Sequence, residues 1–230
     1  MKARLKPACG VCESCPFCQV SDNDQNVFDL LPPPVSYPSS VILFEAGDYP
    51  TGIYVICGGR IKLWCSSEDS RRFIWRFAET GESLDIITLF SQVPYPTTAE
   101  TSEPCWIRFV PKDLFFQVLK QHKIIERHLL LRNCVTLSST LEQLEEFVFS
   151  QSALERLGLL LSRLSGEKQP TPSEGKPIRI WMSRREMAER IGVVPETVSR
   201  LLGKLVKAGI IERHRGSTII LRPDRLKSIR

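Results

Sequence analysis

Four cysteines lie within ten residues near the start of the chain, at Cys9, Cys12, Cys15 and Cys18. Repeated C-x2-C spacing lets several thiolates converge on one metal centre with little help from a surrounding fold. The run therefore predicts an iron–sulfur site or a zinc site, and zinc would make the segment structural because it has no redox chemistry. A third interpretation, a thiol switch that forms disulfides under oxidants, also stays open.

The composition is that of an ordinary globular protein. The chain has 230 residues, of which 42% are hydrophobic and 25% are charged, enough for one large domain or two modest ones. No apolar run reaches the length of a membrane span, and the N-terminus lacks the apolar stretch of a signal peptide. We therefore expect a cytoplasmic protein without a membrane partner, in a reducing compartment that favours metal binding by clustered cysteines over disulfides.

Positive charge is concentrated towards the C-terminus. Residues 178–230 contain thirteen Lys and Arg against five Asp and Glu, so they carry +8, and the remainder of this +5 chain carries −3. A basic C-terminal domain beside a slightly acidic body is the electrostatic signature of a nucleic-acid-binding protein.

Short β-rich runs are predicted between residues 35 and 110. They lie at residues 41–44, 53–56, 60–64 and 73–77. Turn-forming residues such as Gly47, Gly58 and Gly81 separate them. Strands at this regular spacing indicate an antiparallel barrel or roll.

A long helix is predicted to follow the β-rich region. Its apolar residues recur at intervals of 4, 3, 4, 3 and 4, at Leu130, Cys134, Leu137, Leu141, Leu144 and Val148. This is the spacing of the a and d positions of a coiled coil. Because the stripe is narrow and flanked by charged residues, it favours a partner helix, and hence a homodimer, over packing on the chain's own roll.

The C-terminal segment has the signals of a helix-turn-helix with a β-hairpin wing. Ser183 is placed as a helix N-cap with Glu186 at the capping-box position, and that helix should end at Gly192. Pro195 lies in the first turn of the second helix, where its missing N–H costs nothing. Two short β-rich runs follow and form the wing.

The second helix of such a unit lies in the DNA major groove, where its first residues meet base edges. Glu196 can accept a hydrogen bond from a cytosine amino group, Arg200 can donate two to one guanine, and Ser199 can bond a base or a phosphate. The basic residues expected to contact phosphates are Lys204, Lys207, Arg213 and Arg215. The predicted partner is therefore double-stranded DNA.

Two segments resemble the CRP/FNR family of transcriptional regulators. Residues 181–211, WMSRREMAERIGVVPETVSRLLGKLVKAGII, are similar to its helix-turn-helix, and residues 44–63, FEAGDYPTGIYVICGGRIKL, resemble the β-roll of its sensory domain. The resemblance implies a homodimer that binds a palindrome with half-sites about 34 Å apart, with RNA polymerase as a further partner. Pro195 before Glu196 resembles the FNR branch of the family, which implies half-sites like TTGAT.

The resemblance implies an α+β fold with an N-terminal β-roll of the cupin-like jelly-roll type, a long dimerisation helix and a C-terminal winged helix-turn-helix. The expected parts are a cysteine-rich cluster-binding arm at 1–25, the sensory roll at 26–120, the dimerisation helix at 121–150 and the DNA-binding domain at 151–230.

The FNR branch also implies a ligand set for a 4Fe–4S cluster. That branch uses C-x2-C-x5-C plus one distant cysteine, a pattern that Cys9, Cys12 and Cys18 match. The segment 100-ETSEPC-105 resembles the one that carries the distant ligand, which implies Cys105. Cys15 departs from the pattern, and it either replaces Cys18, completes a set of four ligands within the arm, or is a spare.

The cyclic-nucleotide branch of the family is the natural alternative for the roll. Its pocket needs a Glu for the ribose and an Arg-Ser pair for the phosphate. Gly81 and Glu82 are present, but no Arg lies between Glu82 and Cys105. A buried phosphate without an arginine clamp is poorly satisfied, so we expect no cyclic nucleotide.

Together these patterns predict a DNA-binding transcriptional regulator that senses oxygen or redox state through an iron–sulfur cluster. The alternatives are a regulator with a structural zinc or thiol-switch arm, and an iron–sulfur electron-transfer protein. An enzyme is not expected, because the chain has no nucleotide-binding loop and no Ser/His/Asp arrangement. Its three histidines, His122, His128 and His214, lack a metal-ligand spacing such as H-x3-H.

Overall fold

The computed structural model describes Cys15, Phe17, Cys18 and residues 30–68, 71–84, 86–149, 152–166, 177–214 and 216–228. Three residues to which the sequence assigns a function, Cys9, Cys12 and Arg215, lie outside the described residues. The chain divides into two compact units, Met1–Thr136 and Leu137–Arg230.

The first unit contains a β-roll made of two antiparallel sheets. Its described strands are β1 (Val35–Tyr37), β2 (Ile42–Phe44), β3 (Gly52–Gly58), β4 (Arg60–Ser66), β5 (Arg72–Glu79), β6 (Ser83–Leu84), β7 (Thr98–Thr101) and β8 (Cys105–Pro111). The strand order is β1-β8-β3-β6 in one sheet and β2-β7-β4-β5 in the other. Strands β4 and β5 form a hairpin that pairs from Arg60 opposite Glu79 to Ser66 opposite Arg72.

Strand β3 is buried on both faces, and each face belongs to a different core. The helix-side core comprises Cys15, Phe17, Cys18, Leu31, Ile53, Val55, Ile86, Leu89, Val110, Phe115, Val118, Leu119, Ile125 and Leu129. The inter-sheet core comprises Phe44, Ile56, Ile61, Leu63, Ala78, Leu84, Tyr95, Ala99, Cys105 and Ile107. Ile53 and Val55 thus face the helices, whereas Ile56 faces the other sheet, as the alternation of side chains along a strand requires.

Helices cover the outer face of the first sheet. They are α1 (Ile86–Ser91), α2 (Lys112–Gln121) and the beginning of α3 (Lys123–Phe149). Phe115 of α2 and Ile125 of α3 have no exposed surface. Removing such a side chain from water stabilises the fold by roughly 1.5–3 kcal/mol. The boundary between the two units, after Thr136, falls inside α3.

The second unit is a winged helix-turn-helix. Its described elements are α4 (Ala153–Gly166), β9 (Ile178–Ile180), α5 (Arg184–Ile191), α6 (Pro195–Lys207), β10 (Ile211–His214), β11 (Ser217–Ile220) and a 3₁₀ turn (Pro223–Ser228). The three strands form one antiparallel sheet in the order β10-β11-β9. Arg156 of α4 donates from Nε to the carbonyl oxygen of Ile191 at 3.0 Å, which ties α4 to the end of α5.

The predicted fold class is confirmed, with an N-terminal β-roll, a long helix and a C-terminal winged helix-turn-helix. All four predicted β-runs are strands, β2 to β5. Helices α1 and α2 have no counterpart among the predicted elements, and neither do strands β1, β6, β7, β8 and β9. No helix in the described part of the chain is long and apolar enough to cross a membrane.

Gly52, at the start of β3, is a position where the packing leaves no room for a side chain. A Cβ there would overlap the carbonyl oxygen of Val110 on the neighbouring strand and come within 2.7 Å of the Phe109 ring. We predict that Gly52→Ala lowers the free energy of unfolding by about 1–3 kcal/mol, as measured by urea denaturation, because the strands must separate.

Gly203→Ala is the matched control. Gly203 lies inside α6, and a Cβ there meets no atom within 4 Å. Alanine should therefore stabilise the protein by about 0.5–1 kcal/mol, because glycine is a poor helix former. Equal stabilities of the two variants would contradict the close approach of β3 and β8.

Candidate nucleic-acid interface and cysteine site

The second helix of the winged unit, α6, is amphipathic in the way that a recognition helix requires. It begins with Pro195, which follows Val194 in an extended conformation. The N–H groups of the first turn have no acceptor within the helix, so a proline, which has no N–H, costs nothing at this position. Its buried face consists of Val198, Leu201, Leu202 and Leu205. The side chains predicted to contact bases or phosphates lie on the other face. Ser199 is half-buried there, and the exposed ones are Glu196, Arg200, Lys204 and Lys207.

The first helix, α5, is fixed at both ends by its own sequence. Ser183 Oγ accepts from the Glu186 N–H at 3.1 Å, and Glu186 Oε2 accepts from the Ser183 N–H at 2.8 Å. This reciprocal pair is the predicted capping box. Gly192 closes the helix in the left-handed region at φ 70°, which glycine adopts without strain. The turn between α5 and α6 is therefore set by local hydrogen bonds and backbone preference.

Arg184 is a residue of this surface that the sequence analysis missed. Its Nη1 donates to Ser199 Oγ at 3.2 Å, and Ser199 Oγ donates to the carbonyl oxygen of Pro195 at 3.1 Å. The Ser199 hydroxyl therefore already uses its single proton within the helix, while the guanidinium keeps further donors. The sequence carries no local signal for this contact, because it depends on how α5 packs against α6.

The wing supplies one more predicted contact within the described residues. Strands β10 and β11 pair from Ile211 opposite Ile220 to His214 opposite Ser217. Arg213 is exposed on β10. Its cationic head is therefore accessible to a phosphate.

Two of the arm cysteines are buried together against the roll. Cys15 and Cys18 are 5% and 6% exposed and belong to the helix-side core, as does Phe17 between them. The Cys18 N–H donates to the Cys15 carbonyl oxygen at 3.0 Å, which closes a tight turn. A hydrogen bond with the Cys18 thiol and burial both raise the pKa of the Cys15 thiol.

Cys105, the predicted distant ligand, lies in the other core. It is 1% exposed at the start of β8 and packs in the inter-sheet core. Burial raises the pKa of its thiol. Its Sγ lies 3.1 Å from the carbonyl oxygen of Glu103 and 3.4 Å from that of Arg60, so the thiol proton has backbone acceptors. Among the described residues, no three His, Cys, Asp or Glu side chains converge on one metal position.

The carboxylate of Glu82, which the resemblance places at the ribose position of the cyclic-nucleotide branch, already has hydrogen-bond partners. Arg76 Nη1 lies 2.7 Å from Glu82 Oε2, and Glu82 Oε1 accepts from the Glu79 N–H at 2.9 Å. A cleft beside it is lined by polar groups of Ser83 and, from α3, of Arg132. Ser83 Oγ is buried and has no hydrogen-bond partner within the described residues.

The predicted dimer seam is an exposed apolar stripe on α3. Cys134 of the seam is exposed. The five aliphatic residues of the seam are between 45% and 65% exposed, and they are Leu130, Leu137, Leu141, Leu144 and Val148. Leu131 and Val135 are also exposed, so the stripe is wider than a strict a/d seam. An apolar surface of this length is typical of a helix that has a partner.

Two family models match the chain, one in each unit. Residues 34–122 match the cyclic nucleotide-binding domain, and residues 155–229 match the Crp-like helix-turn-helix domain. The first match covers the β-roll, and the second covers the winged unit with α5 and α6.

Several known proteins match this chain over most of their length. The regulatory protein HlyX of Actinobacillus pleuropneumoniae is 31% identical over 178 residues, which cover 75% of this chain and 71% of that protein. The anaerobic regulatory protein of Haemophilus influenzae is 29% identical over 213 residues, covering 88% and 79%. The solved structure of a CooA variant from Carboxydothermus hydrogenoformans superposes with a TM-score of 0.76 at 18% identity, covering 92% and 94%.

The fold, the exposed face of α6 and these relatives define a DNA-binding transcriptional regulator. The prediction that the chain is not an enzyme is confirmed, because its relatives are transcriptional regulators. The chain belongs to the CRP/FNR family. The resemblance stated from the sequence is thereby confirmed. The roles of the individual site residues stay predictions.

We predict that Ser183→Ala lowers the free energy of unfolding by about 1 kcal/mol, because it removes the acceptor that satisfies the Glu186 N–H at the start of α5. Ser183→Thr is the control, since its hydroxyl can cap in the same way. Urea denaturation followed by circular dichroism measures both. Identical losses for alanine and threonine would show that the capping hydrogen bond is not what stabilises α5.

Proposed function

We propose that this regulator senses oxygen or redox state through an iron–sulfur cluster and binds a palindromic DNA site as a homodimer. The observation that carries the proposal is the buried Cys15–Cys18 pair, part of a four-cysteine run in a chain whose second unit presents a recognition helix. The name of the Haemophilus influenzae relative, an anaerobic regulatory protein, supports the same kind of signal.

The base contacts of the proposal come from the exposed side of α6. Glu196 accepts from a cytosine amino group and Arg200 donates two hydrogen bonds to one guanine, as in half-sites like TTGAT. Ser199 acts as an acceptor, because its proton is held by the Pro195 carbonyl oxygen. Two α6 helices related by a two-fold axis then read half-sites about 34 Å apart.

The proposed phosphate contacts increase the affinity for DNA but do not distinguish one base sequence from another. The proposed cations are Lys204 and Lys207 on α6, Arg213 and Arg215 of the wing, and Arg184 at the start of α5. Their contribution should fall with salt, because each neutralised phosphate releases condensed counterions. Arg184 is included because its guanidinium lies 3.2 Å from Ser199 Oγ, beside the first turn of α6.

The proposed metal ligands are Cys9, Cys12, Cys18 and Cys105, with Cys15 as an extra ligand or as an alternative to one of them. The buried thiols of Cys15 and Cys18 fit a metal group, since adjacent C-x2-C thiols can bind one centre. Cys105 lies in a different core from Cys18. A 4Fe–4S cluster, when bound, supplies redox chemistry and sensitivity to oxidants, which a zinc ion in the same ligands would not.

A cyclic nucleotide is not part of the proposed function, although the roll matches that domain family. Both oxygens of the Glu82 carboxylate are engaged, one by Arg76 and one by the Glu79 N–H. No Arg follows before Cys105 to bind the phosphate. A ribose would have to displace an ion pair, and the segment between Glu82 and Cys105 offers the phosphate no arginine.

The exposed stripe of α3 supports a homodimer, in which the same surface of a second copy covers it. RNA polymerase is proposed as a further partner, and the cytoplasm as the location, because the relatives are transcriptional regulators.

A DNA mobility-shift assay tests the proposed class against the electron-transfer alternative. The anaerobically purified protein is mixed with a duplex carrying two TTGAT-like half-sites and, separately, with a scrambled duplex. A discrete band with the palindrome alone supports the proposal. An electron carrier would shift neither duplex at low protein concentration.

We predict that Arg200→Ala costs about 1–3 kcal/mol of discrimination at one base pair of each half-site, because a bidentate guanine contact is lost. Fluorescence anisotropy on duplexes that differ at this base pair measures the effect. Unchanged affinity and preference would show that α6 is not the recognition helix.

Lys204→Ala, on the same helix, is the matched control. It should weaken binding to all duplexes alike and lower the slope of log affinity against log salt concentration by about one unit. A change in base preference instead would place Lys204 among the base contacts.

We predict that the protein is a dimer even without its metal group. Leu141, near the middle of the seam, is 57% exposed in the single chain, and two facing leucines would be buried in the dimer. Each buried leucine stabilises the dimer by roughly 1.5–3 kcal/mol. Sedimentation of metal-free protein at micromolar concentration measures the state.

Leu141→Asp should convert the metal-free dimer to a monomer, because two carboxylates would then face each other across the seam. A clean wild-type monomer that dimerises only on metal loading would instead show that the metal group controls assembly.

A further inference from the structure

We infer that Trp181, with the guanidinium of Arg179 stacked over its ring, contacts the sugar–phosphate backbone of DNA beside the groove that α6 occupies. The pair extends the DNA-binding surface beyond the base and phosphate contacts proposed above. This inference rests on the proposed placement of α6 in the major groove, and it depends on neither the half-site sequence nor the metal group.

Trp181 is a large exposed side chain at a fixed position of the second unit. It is 55% exposed, whereas Ile180 before it and Met182 after it are 1% and 6% exposed. Ile180 also pairs with Thr218 of β11 at the end of β9. Because both neighbours are buried, the backbone at Trp181 is held in place and its indole is kept at the surface. An aromatic ring that is already held in place loses little conformational entropy when it binds.

One neighbour of the indole is the turn of the wing. Strand β10 ends at His214 and β11 begins at Ser217, so Gly216 belongs to the turn between them. A Cβ added to Gly216 would lie 4.0 Å from the Trp181 ring, which places the ring within van der Waals reach of this turn. The indole is therefore continuous with the wing, whose Arg213 is already proposed to contact a phosphate.

The other neighbour of the indole is the start of α5. Trp181 precedes the N-cap Ser183 by two residues, so the Cα atoms of Trp181 and Arg184 are at most about 11 Å apart. Arg184 Nη1 in turn lies 3.2 Å from Ser199 Oγ on α6. Trp181 is thus flanked by the wing turn and by the segment that reaches the recognition helix.

The width of the major groove decides which part of the DNA Trp181 meets. The groove is about 12 Å wide, which is enough for one helix, so residues beside that helix meet the backbone that forms the groove wall. Trp181 belongs to the segment before α5 and not to α6. We therefore place its indole against sugars and phosphates, where a contact fixes position without reading a base.

The chemistry of the pair fits a sugar–phosphate backbone. The indole has a single polar group, an N–H that donates and cannot accept, and its ring offers an apolar face to a deoxyribose. Arg179 is exposed, and its guanidinium carbon lies 5.5 Å from the centroid of the Trp181 ring, within cation–π range. Neither side chain has a hydrogen bond or an ion pair with another residue in the part of the chain that the structure describes. The donors of both are therefore available to phosphate oxygens.

Glu212 is an acidic residue on the same face of the wing sheet. It pairs with Ile219, and Ile219 pairs with Arg179, so Glu212 lies two strands from Arg179, or about 10 Å. Its Oε2 lies 3.6 Å from Nε2 of His214. Because the carboxylate is exposed and distant from the indole, water and salt screen its repulsion of a phosphate at Trp181.

The test follows the fluorescence of Trp181 while the full chain binds a duplex of arbitrary sequence at low salt, where backbone contacts alone support binding. Of the four tryptophans, Trp181 is the one within residues 137–230. Trp181→Phe identifies its emission by difference. Trp75→Phe, which removes a half-buried tryptophan from the first unit, is the matched control. Acrylamide, a neutral quencher, measures how accessible the indole is, and the anisotropy of a labelled duplex measures the affinity.

We expect bound DNA to change the emission of Trp181 and to protect it from acrylamide. The change should be present in the wild type and in Trp75→Phe, and absent from Trp181→Phe. Trp181→Ala should weaken binding about tenfold without changing the salt slope, because an indole neutralises no phosphate. Arg179→Ala should weaken binding and lower that slope. Circular dichroism shows that each variant is folded.

A Trp181 that stays equally accessible to acrylamide in the DNA complex overturns the inference, even if Trp181→Ala binds less tightly. A purely structural role would weaken binding without covering the indole, and the accessibility is measured on the wild type, so the decision does not depend on how well the alanine variant folds. Protection of Trp181 together with an unchanged base preference in Arg200→Ala would support the backbone contact while the proposed base contacts fail. A wild type that binds no duplex at low salt overturns both.

Discussion

The two-sided burial of β3 is the constraint on which the first unit depends. Ile53 and Val55 point into the helix-side core and Ile56 points into the inter-sheet core, so one strand packs in two separate cores. Gly52 lets β3 and β8 approach closely, and α2 and α3 cover the face that would otherwise be exposed. Because the cysteine pair of the arm packs on the same face as the start of α3, any change in the arm acts on that helix through contacts that already exist.

The DNA-binding unit is specified more locally. The capping box of Ser183 and Glu186, the left-handed Gly192 and Pro195 in the first turn of α6 each have a sequence signal, and the structure places all of them as the sequence predicts. Short-range hydrogen bonds and backbone preferences decide these features, so they can be predicted without knowledge of the tertiary fold. What could not be predicted is the contact of Arg184 with Ser199, fifteen residues apart, because it depends on how α5 and α6 pack.

The roll shows where prediction from the sequence ends. Strands β2 to β5 have the expected apolar runs, but β7 reads Thr-Ala-Glu-Thr and is buried at all four positions. Glu100 is accommodated there by Lys62 at 2.8 Å and Arg72 at 3.6 Å, partners supplied by other strands. The same holds for the cysteines: their spacing predicts a metal-binding run, but only the packing of the cores shows that Cys18 and Cys105 lie on different sides of β3.

The central claim is that the state of the arm cysteines controls DNA binding by α6. The most direct measurement is the dissociation constant of one anaerobic preparation for its palindrome, taken before and after exposure to air, with iron and sulfide counted in both samples. The account predicts that affinity falls in proportion to the iron lost and that rebuilding the metal group restores it. Affinity that stays constant while the iron is lost would contradict the account and leave the arm a purely structural element.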